Sequence, residues 1–370
     1  MGVITESDLD PETVLYPATS HPGLILHAIA APDVPTAERL AARFHFAKAY
    51  GSRTALLDDP CIAAVFVSAP IGLRFSVVEL ALRKGKHVLC ESPLAANANE
   101  VKILVDLAKA MGLALLEGVD WQFHPAAHAW RKLVDARESG RILRSEAVMT
   151  STPKIPLEDS RWKFHLGGGS TLALIPALAC TRFSLHATTL ATVLSVTARL
   201  AQKDPRIDAA VHAHLVFENA HNHSVHSRIY TDMARPWARG FVPRVWELPS
   251  IEVETEMTVL FFYNFTQPHL YHYISVTNKT TGETSYYKQY DGGPLWGKVT
   301  VSTGEKGGQS GWSTYRWQLE AFVDAVLGKT PAYWIAAQES VWNMEDVDAI
   351  YRAAGLPMRE SSTDGEGKKD

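Results

Sequence analysis

Short apolar runs alternate with amphipathic stretches of helical period through the first third of the chain. The apolar runs lie at 24–31, 62–69, 86–90 and 114–118, and the helical stretches lie between them at 36–44, 75–83 and 99–111. This alternation is typical of a parallel sheet with crossover helices. We therefore predict a Rossmann-like, doubly wound domain over residues 1–122, whose first strand is reduced to Val3 and Ile4.

The pattern changes after residue 122. A helical stretch at 126–136 precedes strand-like segments at 192–200, 212–217, 224–231, 251–263 and 271–277, and two further helical stretches follow at 315–327 and 337–354. This order predicts a C-terminal α+β domain over residues 123–357, built on a large, mostly antiparallel sheet. Residues 358–370 are rich in Ser, Gly, Glu and Lys, which predicts a disordered tail.

Charge and cysteine content exclude several classes of partner. The net charge of -4 gives no reason to expect nucleic acid or an anionic membrane surface as a partner. No apolar run approaches the roughly 18 residues that a membrane span needs. Cys61, Cys90 and Cys180 lie far apart in apolar surroundings, which indicates reduced, buried thiols and a cytoplasmic protein. Histidines cluster at 212–226 without a cysteine or a clear carboxylate partner, so no metal site is predicted.

Several short motifs occur in order along the chain. Residues 62–70 read IAAVFVSAP, 85–93 read GKHVLCESP, 166–169 read LGGG and 313–322 read STYRWQLEAF. Together they resemble the Gfo/Idh/MocA oxidoreductases, particularly their dihydrodiol and xylose dehydrogenase branch, over residues 2–357. The resemblance implies the two-domain fold, a nicotinamide cofactor in the first domain and a homodimer formed through the C-terminal sheet.

The phosphate-binding turn departs from the family pattern. The resemblance places this turn at residues 2–11, where its three small-residue positions are Thr5, Ser7 and Asp10. The segment also carries four carboxylates, those of Glu6, Asp8, Asp10 and Glu12. Repulsion between unit charges about 4 Å apart costs on the order of 1 to 4 kcal/mol near a protein surface. We therefore predict that no nicotinamide is bound, and that Ser7 or Asp8 caps the following helix.

The proton-handling residues implied by the resemblance are also replaced. The family's Glu-Lys-Pro motif is Glu91-Ser92-Pro93 here, and a serine hydroxyl titrates too far from neutrality to replace the lysine. After the glycine turn, the family's Asp is Ala173, and its His or Tyr is Ala177. These replacements predict a changed chemistry on a preserved scaffold.

The remaining cleft between the domains is the predicted ligand site. We expect a cofactor-independent enzyme that cyclises or isomerises a small, apolar secondary metabolite, in the simplest case by a pericyclic, Diels-Alder-like reaction in a shaped pocket. Lys163, His165 and Gln122 are the predicted hydrogen-bond donors, and Glu91 is a candidate acid. The predicted pocket walls are Ser92, Trp121, Arg161, Trp162, Leu172, Ala173 and Ala177.

Two alternatives stay open at this point. The first is an NADP-dependent sugar or diol dehydrogenase of the same family with compensating residues. The second is a non-catalytic partner of an active homologue, which would form a stable hetero-oligomer and turn nothing over. Cofactor binding distinguishes the first alternative from the main prediction, and assembly distinguishes the second.

Overall fold

A computed structural model describes residues 1–6, 9–151, 154–221 and 223–360. The N-terminal part contains one parallel sheet of six strands, in the order β3-β2-β1-β4-β5-β6. The strands are β1 Gly2–Thr5, β2 Ala28–Ala30, β3 Lys48–Tyr50, β4 Ala64–Ser68, β5 His87–Glu91 and β6 Leu115–Gly118. The predicted Rossmann-like sheet is confirmed. Its first strand is longer than Val3 and Ile4, is buried along its whole length, and pairs with both β2 and β4.

The crossover helices cover this sheet. They are α1 Leu15–Thr19, α2 Val34–Phe44, α3 Arg53–Leu57, α4 Ile71–Arg83 and α5 Ala98–Met111. Side-chain caps fix where several of them begin: Asp33 accepts a hydrogen bond from the Thr36 amide, and Asn97 accepts one from the Glu100 amide. The Asp33 carboxylate is therefore engaged as the N-cap of α2. The predicted caps Ser7 and Asp8 lie outside the described residues.

The C-terminal part is built on an eight-stranded sheet, in the order β14-β13-β12-β11-β7-β10-β9-β8. Its strands are β7 Ile142–Thr150, β8 Thr192–Leu200, β9 Asp208–Glu218, β10 Ser224–Asp232, β11 Ser250–Thr255, β12 Thr258–Tyr263, β13 Tyr273–Asn278 and β14 Thr284–Tyr287. Among the described strands of this sheet, only β7 and β10 pair in parallel, so the sheet is mostly antiparallel, as predicted. The single strand predicted at 251–263 is instead a hairpin that turns at Glu256 and Met257.

Helices pack on one face of the large sheet and leave the other face open. α7 Ser170–Ala173, α8 Pro176–Leu185 and α11 Ala337–Ala353 contact its strands, and α6 Pro125–Val134 packs on α8. α9 Gly293–Trp296 packs on α6, and α10 Thr314–Val326 packs on α1 and on the turn that begins at Asp120. Burial alternates along the strands, as in β12, because only one face meets the helices. The open face carries an aromatic cluster, defined by Phe261, Tyr263 and Tyr273, in which the two tyrosine rings stack with centroids 5.1 Å apart.

A buried ion pair fastens the C-terminal segment to the glycine turn between the domains. Arg359 and Asp208 are both fully buried, and their closest nitrogen and oxygen atoms are 2.7 Å apart. Arg359 also donates to the carbonyl of Gly168, and its own carbonyl accepts from Asn97 of the first domain. Asp208 accepts further bonds from Ser170 and Thr171. Arg359, which the composition assigned to the tail, is therefore part of the packed protein.

The cysteines and the apolar helices were both subjects of prediction from the sequence. Cys90 and Cys180 are buried, but Cys61 is exposed, because it lies in the turn that precedes β4. No single helix among the described residues is long and apolar enough to cross a membrane, although the pair Phe164–Ala173 and Pro176–Leu185 reaches that composition across a 44° bend. The cytoplasmic location stays a prediction.

Candidate functional site

A cleft of about 460 Å³ opens between the two parts of the molecule, at the carboxyl edge of the parallel sheet. It lies at the ends of β4, β5 and β6, beside the point where the strand order reverses between β1 and β4, and this is where doubly wound sheets bind ligands. The second domain closes the opposite wall. The lining residues are Asp10, Thr13, Ser68, Ala69, Pro70, Ile71, Arg74, Glu91, Ser92, Gly118, Asp120, Asp159, Ser160, Arg161, Leu166, Gly167, Ala173, Ile175, Pro176 and Tyr315.

Close backbone packing holds the two walls together. The loop before the glycine turn lies directly on the start of α4, where a Cβ added to Gly72 would come within 2.5 Å of the His165 carbonyl oxygen. Gly167 is similarly crowded by Ile71 and has a φ of +79°, a conformation that glycine adopts without strain. The cleft is thus bounded by backbone on both sides at this end.

Glu91 is held in place by two partners in the floor of the cleft. Ser68 donates to one carboxylate oxygen over 3.0 Å, and Arg74 donates to the other, also over 3.0 Å. Arg74 is itself fixed by bonds to the carbonyls of Ala69, Glu91 and Pro93. Arg74 therefore links the ends of β4 and β5 through its hydrogen bonds, and the Glu91 carboxylate is ion-paired with it.

Ser92 replaces the family's lysine and turns its hydroxyl toward a buried acid. The Ser92 hydroxyl is 2.6 Å from Oε1 of Glu117, which is 4% exposed. Burial raises the pKa of Glu117 above its ordinary value, against smaller opposing effects of its serine partners and Arg74. The Glu117 backbone carbonyl accepts from Gln318 of α10. The Ser92 hydroxyl therefore forms part of a buried network that joins the two domains.

Asp120 and Tyr315 form the third polar group of the cleft. Asp120 begins the single 3₁₀ turn after β6, and Tyr315 lies in the first turn of α10, whose start is capped by Ser313. Burial raises the pKa of Asp120 to about 7, and the nearby charge of Glu91 adds to the shift. The pKa of Tyr315 is raised, chiefly by the charge of Asp120 and then by burial. A carboxyl group poised near neutrality therefore faces the cleft beside a protonated phenol.

The turn after β1 is acidic. Asp10 uses one carboxylate oxygen to accept the backbone amide of Glu12 over 3.0 Å, and so occupies a donor that a phosphate would otherwise receive. Glu6 pairs with Arg53 at 3.4 Å, and burial raises the pKa of Glu6 despite the opposing charge of Arg53. The helix that follows, α1, has only five residues. The turn therefore presents carboxylates beside a short helix.

Three of the four predicted catalytic residues lie away from the cleft. Lys163 and His165 are exposed and do not line it, because the loop that carries them turns their side chains outward while its backbone packs on Gly72. Gln122 is 2% exposed and accepts a hydrogen bond from Tyr333, so it belongs to the interior. Glu91 alone among the four lines the cleft.

The predicted wall residues divide in the same way. Ser92, Arg161 and Ala173 line the cleft, and Arg161 forms a two-pronged pair with Asp159. The others lie elsewhere. Trp121, Leu172 and Ala177 are core residues. Trp162 donates to the Ile155 carbonyl and lines a separate cavity of about 850 Å³ beside β8 and β9. Among the described residues no group of three or more His, Cys, Asp or Glu side chains is placed to hold a metal ion.

Sequence reasoning did not identify Asp120 and Tyr315. Asp120 could have been found, because it follows a buried strand at the carboxyl edge of a parallel sheet, where site residues gather. Tyr315 could not, since it reaches the cleft only through the packing of α10 against the turn that carries Asp120. Its neighbours in sequence show only a capped helix start.

Comparison with known proteins shows similarity to oxidoreductases. Residues 12–119 match the family model described as "Oxidoreductase family, NAD-binding Rossmann fold". The dTDP-3,4-didehydro-2,6-dideoxy-alpha-D-glucose 3-reductase of Streptomyces antibioticus is 30% identical over 60% of this chain and 65% of its own length. The D-xylose 1-dehydrogenase (NADP(+)) 2 of Haloferax volcanii is 27% identical over 88% of this chain and 89% of its own. For the matching 3-reductase of Saccharopolyspora spinosa, the aligned region spans 52% of the relative.

Solved structures share the whole fold. A 3-ketoreductase from Actinomadura kijaniata, solved with NADP and TDP-benzene, has a TM-score of 0.75 and 22% identity, over 95% of this chain and 96% of its own. An aldose-aldose oxidoreductase from Caulobacter crescentus, complexed with glycerol, has a TM-score of 0.75 and 17% identity, over 96% and 97% of the two chains.

These findings overturn the prediction of a cofactor-independent cyclase or isomerase. That prediction rested on the lost motifs alone, whereas the proteins that resemble this chain are reductases and dehydrogenases in name. The resemblance read from the motifs, including its dihydrodiol and xylose dehydrogenase branch, is confirmed. The chain is similar to the Gfo/Idh/MocA oxidoreductases, and residues 12–119 match their NAD-binding Rossmann model.

Proposed function

We propose that this protein is an NAD(P)-dependent oxidoreductase that interconverts a hydroxyl and a carbonyl group on a small, sugar-like molecule. The observation that supports it most is the position of the cleft. It lies at the carboxyl edge of a parallel sheet, beside the reversal in strand order, and is closed by a second domain. A dinucleotide in that position would bring its reactive ring to the wall where Glu91, Ser92 and Asp120 lie.

The lining of the cleft favours a polyhydroxylated substrate over an apolar one. Carboxylates, hydroxyls and two guanidinium groups line the cleft, including Asp120, Ser160 and Tyr315. Such groups are suited to the hydroxyls of a sugar, whereas an apolar molecule would remove them from water without offering hydrogen bonds in return. The names of the relatives point the same way, because a deoxysugar 3-reductase and a xylose dehydrogenase both act on sugars.

The residues at one end of the cleft fit the nicotinamide ring of a dinucleotide. Ala69, Pro70, Ile71 and Ile175 offer an uncharged wall of the kind that a flat ring can stack on. Ser68 and the backbone of the segment from Ala69 to Ile71 would hold the ring end. When bound, the nicotinamide supplies or accepts the hydride of the redox reaction.

The residues do not fit the diphosphate at the other end. Glu6 and Asp10 carry negative charge beside the end of β1, and Asp10 already accepts the Glu12 amide. Arg53 could oppose a phosphate charge, but it is paired with Glu6. We expect weak dinucleotide binding that tightens when the charge of Glu6 is removed.

The chain's own residues have separate tasks in this proposal. Arg74 and Ser68 fix the Glu91 carboxylate in the floor, while Arg161 and Asp159 bind each other at the rim. Ala173 and Ile175, which follow the glycine turn, supply an apolar part of the cleft wall. Asp120 is available to exchange a proton near neutral pH.

The open face of the large sheet supports a homodimer in this proposal. The aromatic cluster is an apolar patch on a face that no described helix covers. Exposed patches of this kind on a sheet are characteristic of interfaces. A second copy of the chain would cover it.

The direct test is a turnover screen. Purified protein is incubated with NADPH or NADH and a panel of keto sugars and aldoses, and the loss of reduced nicotinamide is followed together with product mass. We expect NADPH or NADH to be consumed with at least one keto sugar, and a deuteride label on the nicotinamide to appear in the product. Consumption without label transfer, or none in a folded sample, contradicts the proposal.

A further inference from the structure

We propose that Asp120 is the acid and base of this cleft, with Tyr315 as the hydrogen-bond donor that holds the substrate oxygen beside it. The inference rests on the proposed function and assigns the proton transfer that the family's lysine would otherwise perform. The structural basis is that the 3₁₀ turn after β6 and the first turn of α10 bring both side chains to the cleft.

The backbone places Asp120 next to the position of the missing lysine. Gly118 packs so closely on β5 that a Cβ added there would lie 3.0 Å from the Glu91 Cα and 3.4 Å from the Ser92 nitrogen. Asp120 follows two residues later and lines the same cavity as Ser92. A substrate oxygen near Ser92 is therefore within the region that Asp120 faces.

The other acidic groups of the cleft are already engaged. Glu91 accepts from Ser68 and Arg74, and Asp159 is paired with Arg161. Asp10 accepts a backbone amide of its own turn. Asp120 accepts hydrogen bonds from the Thr314 hydroxyl and from the backbone amides of Asp120 and Trp121. Unlike Glu91 and Asp159, it forms no ion pair with a lysine or arginine among the described residues, and unlike Asp10 it lies beside β5 and Ser92.

The Ser92 hydroxyl is not a substitute for the lysine ammonium. It lies 2.6 Å from the buried carboxyl group of Glu117, and that carboxyl is 4% exposed, out of reach of a substrate. A hydroxyl in such a bond, with its ordinary pKa far above neutrality, contributes little as an acid at this position. The proton must come from another group of the cleft.

The electrostatic surroundings of Asp120 suit proton exchange near neutral pH. The charge of Glu91 of β5 acts on Asp120, and Arg74 of α4, Asp10 of the turn before α1 and Tyr315 of α10 line the same cleft. Asp10 and Glu12 act on Tyr315. Burial, the largest effect, and the charge of Glu91 raise the pKa of Asp120 to about 7. Tyr315 stays protonated because the charge of Asp120 and burial raise its pKa. An acid whose pKa lies near the working pH is the efficient choice for general acid–base catalysis.

The proton step balances with a reduced nicotinamide as reductant. As the carbonyl carbon accepts hydride, its oxygen gains negative charge, and the protonated Asp120 carboxyl gives that oxygen its proton. The product is an alcohol, and Asp120 is left as a carboxylate that regains a proton from water. In the direction of oxidation, the carboxylate removes the hydroxyl proton as hydride leaves. Tyr315 donates a hydrogen bond to the same oxygen throughout and keeps its own proton.

The first experiment observes the carboxyl group without turnover. Wild-type protein and Asp120→Asn are labelled with ¹³C at the aspartate carboxyl carbons and titrated by NMR. Burial also raises the pKa of Asp348 to about 6, so that carboxyl should appear in both proteins. We expect a further wild-type carboxyl to titrate near pH 7 and to be absent in Asp120→Asn. If no near-neutral carboxyl is lost in Asp120→Asn, the inference is overturned, whether or not the enzyme turns over.

The second experiment measures kcat and KM for reduction against pH. Wild-type kcat should fall as pH rises through the pKa of Asp120, and Asp120→Asn should lower kcat about 10²- to 10⁴-fold and remove that limb, with KM little changed. Tyr315→Phe should raise KM and keep the limb. Asp106→Asn, an exposed aspartate of α5 outside the cleft, is the matched control and should behave as wild type.

The outcomes separate the two proposals. Turnover that survives in Asp120→Asn with the same pH profile overturns the role of Asp120 and leaves the oxidoreductase function standing. A neutral carboxyl in NMR without any turnover, with either nicotinamide, overturns the oxidoreductase function and with it this role. The two proposals are both supported if Asp120→Asn keeps the wild-type fold and dinucleotide affinity, has a much lower kcat, and no longer shows the fall of kcat with rising pH.

Discussion

Replacing Arg359 with methionine should destabilise the protein through the glycine turn that borders the cleft. Methionine keeps much of the volume of the side chain and removes its charge. The change leaves Asp208 fully buried without its cation, although Ser170 and Thr171 still donate to it. It also removes the donor to the Gly168 carbonyl, which is 3.0 Å from Arg359.

The size of the effect follows from the burial of the pair. Removing one partner of a fully buried ion pair costs about 3 to 5 kcal/mol, because the remaining charge is uncompensated. The three bonds that Asp208 keeps should hold the loss near the lower limit, about 3 kcal/mol. Arg206→Met is the matched control, since Arg206 pairs with Asp204 on the surface and is 59% exposed. Such pairs contribute roughly 0 to 1 kcal/mol.

The assay is urea unfolding followed by tryptophan fluorescence for wild type, both single variants and Arg359→Met combined with Asp208→Asn. The double variant should recover a large part of the loss, because it removes the unpaired charge. Dinucleotide affinity is measured on the same samples, and should weaken in Arg359→Met as the glycine turn loosens. A loss in Arg359→Met no larger than in Arg206→Met, or a double variant less stable than the single, would refute the reasoning.

Three further predictions concern charge and assembly. Because the pKa of Asp120 is raised, the folded state binds more protons than the unfolded state between about pH 4 and 7. The contribution of Asp120 to stability therefore falls as pH rises through that window. At pH 8, Asp120→Asn should be more stable than wild type in urea unfolding, by at most about 4 kcal/mol. Glu6→Gln frees Arg53 and should tighten NADPH binding by roughly 1 kcal/mol, about five-fold, in a fluorescence titration, whereas Glu305→Gln should leave it unchanged. Tyr273→Asp, at the centre of the aromatic cluster, should convert a dimer to monomer in light scattering, and a wild type that is monomeric at high concentration contradicts the interface.

Much of the fold could be predicted from the sequence because the elements carry strong local signals. The fully buried β4 appears as an unbroken apolar run, and α5 has an asparagine cap at one end and Gly112 at the other. The turn inside 251–263 was missed because the segment at 254–258, ETEMT, contains no glycine or proline. Strand β3 has three residues and little apolar pattern.

The site was harder to predict than the fold. Lys163 and His165 are close to the glycine turn in sequence, but the backbone of their loop fills the space against Gly72 and the side chains face solvent. Tyr315 and Asp120 come from positions nearly two hundred residues apart, so only the packed domains bring them together. The prediction of a non-redox enzyme was wrong because it weighed only the replaced positions, in the turn after β1 and at Ser92, Ala173 and Ala177, against the similarity of the chain to reductases and dehydrogenases.

The central claim is that this cleft binds a nicotinamide dinucleotide for hydride transfer, and its most direct test is a titration of the folded protein with NADPH and with NADH, followed by nicotinamide fluorescence. We predict saturable binding in the micromolar to sub-millimolar range that is tightened by Glu6→Gln, together with deuteride transfer to a keto sugar. Absence of binding up to about 1 mM, a free energy of roughly -4 kcal/mol, in wild type and in Glu6→Gln alike would contradict the account.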